Sequence, residues 1–233
     1  MILINIEKKY LITSGASAGL AAAFNAPLSG VIFALEEVHK SFSPLVLVSA
    51  MAASLVSDFV SKQFLGMNPS LGIENVPVLP LKYYWVLIIL GVILGIGVAI
   101  FSIWILKVQS LYGKFKKVPV EDKVMIPFLL TGILGIFAPI ILGGGHELIM
   151  DLATKSFPIK LLLAVLLVKF LLTIISFGAG TPGGIFFPLL LLGAVVGNIV
   201  GIVSCNAFGV PNQYIIDFII LAMAGNFASI VKA

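Results

Sequence analysis

Residues 83–106 run "YYWVLIILGVILGIGVAIFSIWIL" without a single charged side chain. Crossing about 30 Å of hydrocarbon takes roughly 20 apolar residues in a helix. Residues 124–142 and 159–177 approach the same length and character. In lipid every backbone polar group needs a partner within the protein, so such segments fold as helices. The whole chain agrees: 60% of its residues are apolar and 10% charged, against about 25% charged in a soluble domain. A cleaved secretory signal before a soluble domain is excluded, because the hydrophobicity continues to the last residue. The expectation is an all-α, multi-pass membrane protein forming a single transmembrane domain over 1–233.

The net charge of +4 does not point to nucleic acid. All the basic residues are lysines, and five of them lie in "KVQSLYGKFKKVPVEDK", 107–123: Lys107, Lys114, Lys116, Lys117 and Lys123. Beside a span this reads as a cytoplasmic loop under the positive-inside rule. A patch for anionic lipid is the rival reading. With that loop inside, 81–109 runs from outside to inside, loop 66–80 lies outside, and 44–65 runs from inside to outside. Glu36 and Glu37 then lie near the cytoplasmic face. Lys82 is a mild vote the other way. Cys205 stands alone, so there is no internal disulfide and no cysteine-based metal site.

Several segments are broken. Residues 9–24 are rich in Ala and Gly, and "FNAPLSG", 24–30, interrupts them. Pro27 suits the first turn of a new helix, with Asn25 as its cap. That helix ends near His39, too short to cross. Pro44 opens a helix over 44–65. The helix over 81–109 carries Gly91, Gly95 and Gly97, small residues that let helices approach closely in lipid. "GGGHE", 143–147, is a break, followed by a short amphipathic piece, 147–156, and a span from Ile159 to Phe177. A glycine-punctuated helix over 185–204, a loop at "AFGVPNQ" and a short helix over 213–222 follow. The segment 224–233 reads as unfinished.

The break that matters most is "GTPGGIFFP", 180–188. A helix that starts inside a membrane has amides without intrahelical partners and about half a positive charge at its end. Together they suit an anion. Gly183 and Gly184 permit a turn, the amides of Ile185, Phe186 and Phe187 sit among apolar bodies, and Pro188 fits the following first turn. No lysine or histidine adjoins, so the site binds without over-holding, as conduction requires. A ligand-free loop between two helices is the alternative.

Glu36 and Glu37 end the partial helix. Neighbours on a helix lie about 100° apart, so one faces inward while the other meets solvent. An inward acid at a transport core is a candidate proton relay. The alternative is a solvated pair, although acids at a helix C-terminus oppose the dipole. Lys169 sits within a span, where a lysine costs about 2.5–3.5 kcal/mol on insertion scales. It reads as structural, facing the protein interior or snorkelling, with an acid as its partner. His146 and Glu147 read as a loop cap, because two ligands without a third do not make a metal site. Ser14, Ser17 and Ser29 have no His or Asp arrangement for a nucleophile, which argues against a hydrolase and against any catalytic site.

"ASAGLAAAFNA", 16–26, also lies over "MAGNFASIVKA", 223–233, with Ala21 against Ala228 and Ala26 against Ala233. Broken helices at matching places in two halves mark inverted-repeat transporters. On this repeat the counterpart of Gly184 falls upstream of Met1.

"GASAGLAAAFNAPLSGVIFALEE", 15–37, and "GAGTPGGIFFPLLLLGAVVG", 178–197, resemble the chloride channel (ClC) family, its prokaryotic H+/Cl− exchangers in particular. "GILG…P…GGG", 132–145, agrees in order and spacing. The resemblance implies an inverted-repeat fold of tilted and partial helices in the cell membrane, working as a homodimer with chloride and protons as substrates and no cofactor. It implies chloride on the Gly184 to Phe187 segment, through the amides of Ile185, Phe186 and Phe187. It implies internal proton transfer at Glu37, with Glu36 as its neighbour. Family channels commonly lack an acid at the Glu37 position, so the resemblance favours antiport; a passive voltage-gated-type channel is the alternative. The family's first filter motif, its Gly-Arg-Glu-Gly-Pro motif and its filter tyrosine are not in the sequence. The chain is therefore expected to be a central fragment lacking the family's N-terminal and C-terminal helices, with a truncated non-transporting fragment as an alternative.

Overall fold

The computed structural model describes residues 5–66, 71–73, 76–115, 118–180 and 184–231, and among these no strand occurs. The chain divides into two compact units, Met1–Gly72 and Ile73–Ala233.

In the first unit, α1 covers Asn5–Phe24, α2 covers Pro27–Phe33, and α3 covers Pro44–Leu65. Thr13, Ser17 and Ala21 on α1 are fully buried at four-residue spacing, facing Val46, Ala50, Ser54 and Asp58 of α3. The stripe is small and polar because two helices in lipid gain from close backbone approach and cross-helix hydrogen bonds rather than from bulk hydrophobicity. α2 lies directly on α1: a Cβ on Gly30 would come within 2.8 Å of the Ser17 carbonyl. Asn25 does not cap α2. It takes a left-handed conformation (φ 56°), and Ala26 is the residue that precedes the helix, without a side-chain cap. Asn is among the few residues that adopt this conformation cheaply, and that property prevailed over its capping preference. α2 continues as a π-helical stretch, Ala34–His39, which stops at Lys40, also left-handed (φ 56°).

In the second unit, a 3₁₀ turn, Leu81–Tyr83, leads into α4, Tyr84–Lys114. α5 covers Val120–Phe137 and a second 3₁₀ turn covers Pro139–Ile141. α6 is His146–Thr154, α7 Ile159–Gly178, α8 Phe186–Phe208 and α9 Ile215–Val231, after a turn at Asn212–Tyr214. Five helices among the described residues are long and apolar enough to cross a membrane: Pro44–Leu65, Leu81–Lys114, Ile159–Gly178, Phe186–Phe208 and Asn212–Ile230.

Four expectations are corrected. α4 carries Lys107 and Lys114 within the helix and α5 opens at Val120, so much of the expected basic loop is helical; Lys116 and Lys117 lie outside the described residues. α5 starts with the charged run 121–123 and is not among the spanning helices. α9 does not stop near 222. It runs through Gly225 and Asn226, because Asn226 Nδ2 donates to the Leu189 carbonyl at 2.7 Å. A Cβ on Gly91, Gly95 or Gly97 would meet nothing within 4 Å; α4 packs instead through Val86, Leu90, Leu94, Val98 and Phe101. The close approach belongs to α8. A Cβ on Gly193 would meet the Ala222 carbonyl at 2.7 Å, one on Gly197 would collide with the Phe218 carbonyl, and one on Gly201 would meet Ile215 at 3.1 Å. These three glycines, four apart, seat α9 against α8.

Candidate functional site

α8 begins at Phe186, with Ile185 immediately before it in a near-helical conformation (φ −79°, ψ −14°). The first backbone bond across this boundary runs from the Leu189 amide to the Ile185 carbonyl at 3.2 Å. Pro188 has no N–H. The amides of Ile185, Phe186 and Phe187 lie at the first turn of a long helix, at its positive end. Leu189 to Leu192 are all buried, so the end is rooted in the core. Around it the surface is aromatic. The Phe186 ring packs on Phe227 at 4.6 Å and near Phe187 at 6.0 Å, and the Phe187 ring meets His146 edge-on at 5.7 Å. Gly184 is exposed. Thr181, Pro182 and Gly183 lie outside the described residues.

Lys169 is 6% exposed on α7, on one stripe with Leu162, Val165 and Thr173. Interior placement agrees with the sequence expectation; an acidic partner does not. Its Nζ donates to the carbonyls of Gly143 at 2.7 Å and Leu142 at 3.4 Å. His146 is the first residue of α6, preceded by Gly145. Among the described residues no group of three His, Cys, Asp or Glu is placed to hold a metal.

In the first unit, Glu36 and Glu37 both fall in the π-helical stretch. Glu36 is exposed and Glu37 half-buried, so the two acids do divide between environments. A π-turn is rare and frequently accompanies function. Two residues further on, His39 is buried, with its ring 5.6 Å from that of Tyr10. Its Nδ1 lies 3.3 Å from Thr13 Oγ1, which donates to the Lys9 carbonyl at 2.8 Å. The hydroxyl hydrogen is thus committed, and Nδ1–H is inferred to be the donor to Thr13. The sequence reading assigned His39 no role. The available signal was its place four and eight residues after Leu35 and Val31, both buried.

The chain is similar to known proteins. A family profile described as "Voltage gated chloride channel" matches residues 3–233. The H(+)/Cl(−) exchange transporter ClcA of Yersinia pestis bv. Antiqua (strain Angola) is 36% identical over 231 residues, covering 96% of this chain and 48% of that protein. ClcA of Salmonella paratyphi A (strain ATCC 9150 / SARB42) is 32% identical over 228 residues, with the same coverage. The chain spans about half the length of these curated relatives. Among solved structures, a slow cyanobacterial Cl−/H+ antiporter matches with a TM-score of 0.82 and 28% identity, over 95% of this chain and 52% of that one. A CLC-type fluoride/proton antiporter matches with a TM-score of 0.77 over 99% of this chain and 57% of the other; at 24% identity it is a likeness of fold.

Proposed function

Because the chain belongs to the voltage-gated chloride channel family, we propose that the protein it forms is a proton-coupled chloride antiporter of the cell membrane. The carrying observation is the start of α8 at Phe186, in an apolar and aromatic setting. A helix end there offers an anion oriented amides and a partial positive charge. Such a site lets a halide enter and leave, as transport needs. In this reading the Gly184 to Phe187 segment binds chloride. The half-buried Glu37 passes protons toward the cytoplasmic side, and Glu36 keeps its approach hydrated. The protein works as a homodimer in the bilayer, with ions as its only substrates, no cofactor and no catalytic chemistry. The relatives' names, exchangers of H+ for Cl−, support coupling over passive conduction.

The test is reconstitution of the full-length protein in liposomes under a chloride gradient, with internal pH followed by a dye. Proton movement driven by chloride is expected. Glu37→Ala is expected to stop it while chloride flux persists. Chloride flux without proton movement in the wild type identifies a passive channel and defeats the coupling.

A further inference from the structure

Lys169 is a buried basic side chain on α7 that the proposed transport does not use. Its amine ends on the carbonyls of Leu142 and Gly143, on the turn that leads into α6. The next two residues of that turn touch α8. A Cβ on Gly144 would lie 3.5 Å from the Cβ of Phe187. Gly145 holds φ at +97°, a conformation that L side chains rarely adopt, and a Cβ there would collide with Leu191. His146 then sets its ring against that of Phe187. The amine's grip is therefore separated by a single residue from the backbone of Phe187, whose Cβ is bonded to the same carbon as its amide nitrogen. A simple pin between α7 and this turn would need no glycines beyond it. Gly145, where a Cβ would collide with Leu191, lets the turn lie directly on α8.

We propose that Lys169 is a positioning residue for anion binding: by holding the 142–145 turn against α8 it sets the direction of the Phe187 amide. The proposal rests on the reading of the α8 start as the anion site. It requires no contact between Lys169 and the anion. Changes on either side of the turn, at Lys169 or at Gly145, should therefore act alike.

The test is chloride binding by isothermal titration to the purified full-length protein, with thermal unfolding measured in parallel. Lys169→Met keeps the length and removes the donor; it is expected to weaken chloride binding about tenfold. Lys169→Arg, which still donates to both carbonyls, is expected to stay within about threefold of wild type. Gly145→Ala displaces the turn from its other end and is expected to weaken binding like Lys169→Met. A lower unfolding temperature with wild-type chloride affinity in Lys169→Met overturns the proposal, because a merely structural lysine predicts that outcome. If Lys169→Met does not fold, Gly145→Ala decides: wild-type affinity overturns the proposal and weakened affinity supports it. A wild-type protein that binds no chloride removes the anion site itself and this inference with it. One that binds chloride with unaltered affinity in the variants removes this inference alone.

Discussion

Ser17 is fully buried, and its Oγ lies 2.5 Å from Ser54 Oγ and 3.3 Å from the Ala50 carbonyl. Ser14 repeats the arrangement one turn earlier, donating to Ser49 at 3.2 Å. These hydroxyls hold α1 to α3 where the hydrophobic effect offers little difference between lipid and protein. A double-mutant cycle with Ser17→Ala and Ser54→Ala, read by unfolding in detergent, is expected to give a coupling of about 0.6 kcal/mol and no more than roughly 1.7. The sequence excluded Ser14 and Ser17 as nucleophiles but left them without a job. A hydroxyl's partner 37 residues away leaves no local trace. The same limit explains Lys169. Its cost inside a span forecast burial, yet its acceptors are backbone carbonyls, which every residue carries and no pattern distinguishes. Asn25 failed differently. Two local preferences, capping and left-handedness, competed, and the closeness of α2 to α1 selected the second.

At the scale of elements, α8 and α9 form the tightest pair, because Gly193, Gly197 and Gly201 remove the side chains that would hold them apart. Gly197→Val would press on the Phe218 carbonyl, the Ile219 Cα at 2.8 Å and the Ala222 Cβ at 2.7 Å, mostly backbone that cannot yield. A destabilisation of roughly 2 kcal/mol or more is expected by thermal unfolding. Gly91→Ala, on a surface of α4 with nothing within 4 Å, is expected to change stability by under about 1 kcal/mol. The two substitutions look alike in the sequence, where both glycines interrupt apolar runs. They separate only when the partner helix is known. The start and length of most helices were nevertheless legible. Pro44 and Ile159 open α3 and α7 where expected, since proline fixes the first turn and an apolar run sustains the rest. α9 was misread because Gly225 and Asn226 look like a stop; Leu94 lies 3.1 Å from where a Cβ of Gly225 would sit, and packing carries the helix through.

For the whole molecule, the family and the apolar helices make this a multi-pass membrane protein. The lysine bias makes a sidedness prediction. Val118 lies in the short turn after α4, and Val78, 87% exposed, precedes it. In a Cys205→Ser background, Val118→Cys is expected to react with a membrane-impermeant maleimide only when the cytoplasmic face is accessible. Val78→Cys is expected to react only from the opposite side. Labelling of both from one side would remove the orientation and, with it, the cytoplasmic placement of Glu37. What the sequence determined by itself was the solvent, the helical class, most spans and the place of the break before Phe186. Each of these is a sum over neighbouring residues, and transfer to hydrocarbon and glycine–proline punctuation act locally. What only the tertiary structure decided was which faces touch: small residues of α1 on α3, glycines of α8 on α9, and Lys169 on the turn beside Phe187. Those choices depend on close packing between segments far apart in the chain, and in an almost uniformly apolar sequence hydrophobicity no longer tells one face from another.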